Sequence, residues 1–344
     1  MKILYSVQAT GNGHISRAME LLPFLRLYGR VDVFLSGANS QLKADLPVRF
    51  RSKGLSLFYN NGGGLHYNKT IRSLKPLRVW NEVRELPVEQ YDVVINDFEC
   101  ITSLACAYKG VPSVNFGHQA SFQSALVPRP AKKDKLGEFI LQHYGRAASY
   151  LGLHFKRYDD FIFTPVIKKE VLTAKPVNKQ HITVYLSAFS DAALRQYFSP
   201  LKGFHFQVFS KQTKQPCTDG NITFLPVNNR LFTESMINSA AIITGAGFET
   251  PAEALHLQKK IMVIPIRGQY EQLCNAAALE QLGVRVMDRL DNSFAQAFNE
   301  WMQTDTQEII EYSDNAASLV SNLLENYPYK KAAMDLLYPE FIFN

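Results

Sequence analysis

The sequence predicts an α/β protein made of two doubly wound, Rossmann-like halves, and three observations carry that expectation. Short apolar runs recur along the chain and end in small polar or glycine-containing loops, which is how strands buried on both faces of a parallel sheet read. These runs alternate with stretches long enough for a helix, the order that forces parallel pairing. The alternation lapses over a polar stretch near the middle and then restarts, in a chain of 344 residues that is about two domains long.

Taken in order, Ile3 to Val7 is the first strand, followed by a glycine loop, a helix from about Ile15 to Tyr28 and a strand from Val31 to Leu35. Tyr91 to Asp97 is a further buried strand, Ser103 to Lys109 a short helix, and Val111 to Phe116 the next strand. Between these lie two loop-like regions, Asn60 to Lys75 with Gly62, Gly63 and Gly64, and Gln119 to Lys135 with Pro128, Pro130, Lys132 and Lys133. Phe161 to Phe163 closes the first half, so that residues 1–164 form one domain. Residues 165–180 are polar, contain Pro176 and lack periodicity, and read as the linker. A second domain, residues 181–324, restarts with the strand His181 to Leu186 and its loop Ser187 to Asp191. Ile242 to Thr244 then runs into Gly245-Ala246-Gly247 and a helix, Ile261 to Ile264 is another strand, and Glu271-Gln272 opens the next helix. Gln307 to Leu324 and Lys331 to Leu337 read as the last helices, and the tail Phe341-Ile342-Phe343 is too apolar to be left in water.

Composition narrows the class. Hydrophobic residues make up 46% of the chain, enough for two ordinary cores. The net charge of +6 is uneven: residues 1–160 hold 21 Lys and Arg against 13 Asp and Glu, and the remainder holds 16 against 18. A basic half bearing apolar groups suits an anionic ligand or an anionic membrane surface, or is simply a solvated face. No base-reading module accompanies it, so nucleic acid is not expected as a partner. Cys100, Cys106, Cys217 and Cys274 lack CxxC spacing and neighbouring histidines, which indicates neither zinc nor a disulfide framework. The opening apolar run is too short for a signal peptide, and no run approaches the roughly 18 residues of a spanning helix. The expected location is cytoplasmic, at most peripheral on the inner face of a membrane.

Two glycine loops carry the chemistry. The small residues Gly245, Ala246 and Gly247 let the backbone approach a diphosphate and leave the N–H groups near Gly247, Phe248 and Thr250 aimed at it. Glu253 lies about one turn inside the helix, where a carboxylate can accept the hydroxyls of a ribose. Thr250-Pro251-Ala252-Glu253 is also a capping box with proline at the first helical position, so Glu253 has a purely structural alternative. The first loop, Gly11-Asn12-Gly13-His14-Ile15-Ser16, lacks the third glycine of a dinucleotide fingerprint, and the second strand ends without an acidic residue, which argues against a dehydrogenase. What remains is a histidine at a helix start, pointing toward the cleft outside the strand ends.

The segment from Gly245 to Gly283 resembles the C-terminal donor-binding half of the GT-B glycosyltransferases. It is closest to the family 28 enzymes typified by the lipid-linked N-acetylglucosaminyltransferase of peptidoglycan synthesis, and to the UDP-glycosyltransferases of glucuronide and plant secondary metabolism. The resemblance implies two Rossmann-like domains facing across a cleft, with a C-terminal helix, here residues 325–344, packing back on the first. It implies an inverting, metal-independent transferase that needs no cofactor, with a nucleotide sugar, UDP-linked by expectation, as donor and a lipid or glycan hydroxyl as acceptor. Glu253 would hold the ribose, Glu271 and Gln272 the sugar hydroxyls, and Ser187, with Ser190 beside it, would add phosphate contacts. His14 would take the acceptor proton and Asp97 would orient its ring, because an imidazole is a better base with a carboxylate on its other nitrogen. Gly11, Gly13, His118 and Gln119 would border the acceptor, as would the two loop regions. A polar helix start facing solvent is the structural alternative for Glu271 and Gln272, a helix-start histidine donating to a backbone carbonyl the alternative for His14, and a structural loop histidine an equal alternative for His118. Gly245 stands where the secondary-metabolite enzymes carry a histidine, and Ile167, after Pro165-Val166, where the peptidoglycan enzyme carries an arginine, so neither phosphate contact is implied. A UDP-sugar 2-epimerase or hydrolase on the same scaffold, and a non-catalytic donor-binding subunit, are the rival readings.

Overall fold

The computed structural model describes residues 1–9, 12–37, 46–54 and 76–326. The expectations for Gly11, for Asn60 to Lys75, and for the chain beyond residue 326 lie outside the described residues.

The first sheet comprises β1 (Lys2–Gln8), β2 (Arg30–Ser36), β3 (Val48–Ser52), β4 (Val93–Asp97), β5 (Val114–Gly117), β6 (Ser149–Leu153) and β7 (Ile162–Phe163). Its order is β3-β2-β1-β4-β5-β6-β7, and every pairing is parallel. The second sheet comprises β8 (His181–Tyr185), β9 (His205–Ser210), β10 (Cys217–Asp219), β11 (Ile222–Pro226), β12 (Ala241–Thr244), β13 (Lys260–Val263) and β14 (Arg285–Val286). Its order is β10-β11-β9-β8-β12-β13-β14, parallel except for the exposed edge strand β10. Strand order reverses between β1 and β4 in one sheet and between β8 and β12 in the other. A crevice opens outside the carboxyl ends of the strands at such a reversal, so each half offers one ready-made binding point.

Several element boundaries differ from the sequence expectation, two of them for evident local reasons. The helix after β4 begins at Cys100 rather than Ser103, because the buried Glu99 carboxylate caps it, accepting from the N–H groups of Ile101 (3.0 Å) and Thr102 (2.6 Å). The stretch expected as a helix from Gln307 carries no regular secondary structure as far as Asn315, and the helix itself is Ala316–Asn326. Gln307 there acts as an edge partner for β13, its amide accepting from Ile261 N–H at 3.0 Å and donating to the Lys259 carbonyl at 2.8 Å. The chain then returns to the first half. Tyr312 donates to the Phe155 carbonyl (3.0 Å), Asn315 to Thr164, and the helix Ala316–Asn326 packs on α1 (Asn12–Tyr28).

One apolar core runs through both halves, joining Ile3, Val7 and Phe155 to Val166, Phe248, Leu255 and Tyr312. The second half has a further core on the other face of its sheet, where Phe198, Phe206, Phe294 and Phe298 meet edge to face or tilted. Phe298 is fully buried, 4.8 Å from the Phe204 ring and 5.8 Å from Trp301. Phe298→Ala is therefore expected to cost about 3–5 kcal/mol, the usual scale for emptying a buried aromatic site. Urea unfolding measures it, and a loss below about 1 kcal/mol would show that this cluster is not core.

Candidate active site

The helix α1 starts at Asn12, inside the first glycine motif and three residues ahead of the start expected at about Ile15, and its spacing sorts the side chains by face. His14 and Arg17, three residues apart, share one face and meet Asp97 at the end of β4. Asn12, Gly13 and Ser16 line the cleft toward the second half. These positions are the reversal point of the first sheet, since β1 and β4 are neighbours and Val7 lies opposite Asp97.

Asp97 has no exposed side-chain surface, and two groups share its carboxylate. His14 Nδ1 lies 2.8 Å from Oδ1, and Arg17 Nη2 reaches Oδ1 at 2.8 Å and Oδ2 at 2.9 Å. Arg17 Nη2 is also 3.0 Å from His14 Nδ1. A guanidinium carries donors alone and a carboxylate acceptors alone, so a bare Nδ1 would meet the carboxylate lone pair against lone pair. A bare Nδ1 would instead accept from Arg17 Nη2 at 3.0 Å, but the shorter 2.8 Å approach to the Asp97 carboxylate favours the proton on Nδ1, which leaves the ring's lone pair on Nε2. Burial pushes the His14 pKa down, but the Asp97 charge and hydrogen bond outweigh it, and the net shift is upward. Burial raises the Asp97 pKa in turn, and the charges of Arg17 and His14 more than reverse that, holding the carboxyl below its usual range. Gly117 faces the pair at close range: a Cβ there would stand 2.7 Å from Asp97 Oδ1 and 3.1 Å from Arg17 Nη2.

The second half meets this group through the start of α8, the helix Glu249–His256 that follows the glycine turn after β12. Arg17 Nη1 donates to Glu249 Oε1 at 2.5 Å. Gly13 allows the approach, for a Cβ at that position would lie 2.3 Å from the Glu249 carboxylate. The preceding residue, Phe248, is stacked on His118, with centroids 4.0 Å apart and planes 5° from parallel. His118 also meets the Leu153 carbonyl through Nδ1 (3.0 Å) and the Asn275 amide through Nε2 (2.7 Å), while Asn275 donates to the Ala246 carbonyl (3.1 Å). His118 is therefore buried in the contact between the halves, Gln119 is buried as well, and neither lines the cleft. Ala246 and Phe248 lie with them in the buried core.

Beside the glycine turn after β12, two adjoining cavities share Tyr185 and Thr250. One, of about 100 Å³, brings together Ser187, Gly245, Gly247, Thr250 and Gln272 at the reversal point of the second sheet. Gln272 is nearly buried and accepts from the Ile266 N–H (2.8 Å). Glu271 does not line that cavity; its carboxylate stands 4.0 Å from His118. The other, a cleft of about 90 Å³, is lined by Asn12, Gly13 and Ser16 from the first half and by Phe209, Phe232, Asn228 and Glu253 from the second.

Glu253 does not close a capping box. The helix begins at Glu249, which moves Thr250 inside it, and the Glu253 carboxylate instead pairs with Lys168 Nζ at 3.1 Å. Burial raises the Glu253 pKa, and Lys168 opposes that only in part. Lys168 follows Pro165-Val166-Ile167, so the cleft receives a cation one residue later than an arginine at position 167 would supply it. Arg17, Glu249, Lys168 and the aromatic wall of Tyr185, Phe209 and Phe232 were not legible as site residues. A usable signal existed for Arg17 alone, a charge three residues from His14 on an otherwise buried helix face. Among the described residues, no cluster of three or more His, Cys, Asp or Glu side chains is placed to hold a metal ion.

The likeness to solved structures runs over nearly the whole chain. The glycosyltransferase SnogD from Streptomyces nogalater is 14% identical, with 99% of each chain covered and a TM-score of 0.53. Arabidopsis thaliana UGT89C1, solved with UDP, is 13% identical, with 98% of each chain covered and a TM-score of 0.56. Acinetobacter baumannii MurG is 15% identical, covering 98% of this chain and 99% of its own, with a TM-score of 0.51. At such identities these likenesses establish the shared GT-B fold. No curated protein matches by sequence. A family model, glycosyl transferase family 1, matches residues 1–302. With that match over most of its length, and two Rossmann-like sheets facing across a cleft, the chain belongs to glycosyl transferase family 1 and is a glycosyltransferase of the GT-B fold.

Proposed function

We propose that the enzyme transfers a sugar, with inversion, from a UDP-linked donor held by the second half to a hydroxyl presented by the first. The observation that carries this reading is the Nδ1-tethered imidazole of His14, held on the same turn of α1 that lends Asn12, Gly13 and Ser16 to the cleft, with Glu249, Thr250 and Glu253 of α8 lining the cleft from the other half. In the step itself the acceptor oxygen attacks the anomeric carbon, its proton passes to His14 Nε2, and the bond to the diphosphate breaks with its electron pair leaving on UDP. The first N–H groups of a helix have no acceptor within it, so the start of α8 meets the leaving charge, aided by Lys168 and with no metal ion or other cofactor required. Tyr185, Phe209 and Phe232, tilted or edge to face against one another, offer an aromatic wall for the base, and Glu253 sits beside it for the ribose. The UDP named for the Arabidopsis structure agrees with this choice of nucleotide.

For the acceptor, we infer an amphiphile met at an anionic membrane surface. Leu126, Leu136 and Phe139 are 67%, 54% and 59% exposed, and Lys132, Lys133 and Lys135 project among them. Lys and Arg near an anionic surface contribute about 1 kcal/mol each, and the apolar side chains add burial. Leu77 and Trp80 are likewise exposed, on the helix Pro76–Glu85, while Lys69 to Lys75 lie outside the described residues. Among the described residues no helix is long and apolar enough to cross a membrane, so attachment would be peripheral.

His14→Ala is expected to leave UDP affinity intact and to lower turnover by roughly 10²–10⁴, the scale of a general base. Consumption of a panel of UDP-sugars in the presence of lipid and glycan acceptors reads it, and activity within threefold of the parent rules the base out. Because His14 works deprotonated and its pKa is raised, the rate should fall as pH drops, with the acid limb above the 6.5 of an ordinary imidazole. Glu253→Ala should weaken UDP binding by about 1.5–3 kcal/mol, as for lost hydrogen bonds to a charged group. Calorimetry decides it, and unchanged affinity with a lowered melting temperature assigns Glu253 a structural role. Co-sedimentation with anionic vesicles at low salt should fail when Lys132, Lys133 and Lys135 are neutralised together; retention would point to a soluble acceptor. Epimerised sugar nucleotide formed without any acceptor would favour the epimerase reading.

A further inference from the structure

Arg17 is a buried cation facing two carboxylates from different halves of the molecule, Asp97 at the end of β4 and Glu249 at the start of α8. We propose that Arg17 and Glu249 are positioning residues that couple the His14–Asp97 pair to closure of the cleft, so that the base reaches full strength only when α8 is seated. The inference rests on His14 being the base and names how the donor-side half controls it.

The argument is one of charge count. The ionisable groups that face His14 are Asp97, Arg17 on its own helix and Glu249 from α8, with Tyr5 of β1 facing Arg17 and Asp97. Arg17 alone would neutralise Asp97 and take much of the carboxylate's pull away from the ring. Glu249 offsets that by occupying the second arm of the guanidinium, which leaves one net negative charge around His14 in the closed arrangement. Opening the cleft would remove Glu249 and leave a neutral Arg17–Asp97 pair, less favourable to the imidazolium that forms as the acceptor loses its proton. Geometry adds to charge. With Nη1 held by Glu249, the guanidinium keeps the plane in which Nη2 bridges both Asp97 oxygens, and that fixes the carboxylate to which His14 Nδ1 donates. Phe248, the neighbour of Glu249, is seated on His118 of the first half, so two consecutive residues at the start of α8 report the same closure. Gly13 is the gap through which Glu249 reaches Arg17.

The test reads the His14 ring directly. With ¹³C-labelled histidine, the resonance lost in His14→Gln identifies it, and its NMR titration is followed in the parent, in Glu249→Gln and in Gly13→Ala. Glu249→Gln removes the charge, and Gly13→Ala keeps every charge but displaces the carboxylate. Both should lower the titration midpoint by roughly half a pH unit or more, the scale for a partly screened charge several ångströms away. The acid limb of the kcat profile should move the same way, while KM for the UDP-sugar changes less than kcat. A midpoint unmoved in both variants overturns the coupling. His14→Gln turning over like the parent is a different result, which removes the base itself and with it the purpose of the coupling. Arg17→Lys is a further arm: a point cation cannot bridge both carboxylates as the planar fork does, so a parent-like titration and kcat there would also overturn the proposal.

Discussion

Asp97 ends a parallel strand with its carboxylate wholly out of water, a placement that an ionised group tolerates only when its charge and lone pairs are met. Arg17 supplies the charge and His14 a further hydrogen bond, and both come from the first turns of α1, the helix that enters the same reversal point. The need to satisfy this one carboxylate therefore determines which face of α1 turns inward. It also sets the tautomer of His14 and the orientation of its free nitrogen. A buried arginine carries its own requirement, and its remaining arm is satisfied by Glu249 from the other half. The polar network of the cleft is thus closed by the contact between the halves and not within either one.

The two halves use the same architecture for different ends. Each sheet reverses its strand order beside its first strand, and each reversal opens a crevice at the carboxyl edge. In the first half a helix start places an imidazole there, and in the second a helix start places free N–H groups and a cavity bordered by Gly245 and Gly247. The arrangement persists because the apolar core is continuous across the junction and because the chain returns through Tyr312 and Asn315 to the first half. Helix Lys135–His143 adds a third contact, with Tyr270 donating to Glu138 at 2.6 Å.

Much of this was legible beforehand, and the reasons are local. Strands buried on both faces must be apolar throughout, so Ile3 to Val7, Tyr91 to Asp97 and Ile242 to Thr244 announce themselves, and the loops that follow them fall on the carboxyl edge. His14 and Asp97 are separated by 83 residues, yet both could be placed because each follows a strand of that kind. Helix limits were less legible. Glu99 as a cap shifts one start by three residues, and the segment of Gln307, whose amide bonds to β13, is not helical. Both depend on which backbone groups are left without partners once the sheets have formed.

What the sequence determined by itself was the order of strands and helices, the division into two α/β halves and the positions of the two glycine turns, because hydrophobic periodicity and turn chemistry act over a few residues at a time. What only the tertiary structure decided was the partnership of the charges. The motif around Glu253 suits a helix cap and a ribose ligand equally well, and the choice against the cap was made by Lys168, 85 residues away in sequence. His118 follows a strand just as a cleft residue would, and it was the ring of Phe248 from the other half that covered it. Arg17 and Glu249 carry no local signal of each other, since a salt bridge across 232 residues exists only once both sheets have folded and closed. A buried charge must find its counter-charge in space, and sequence distance does not constrain where that counter-charge lies.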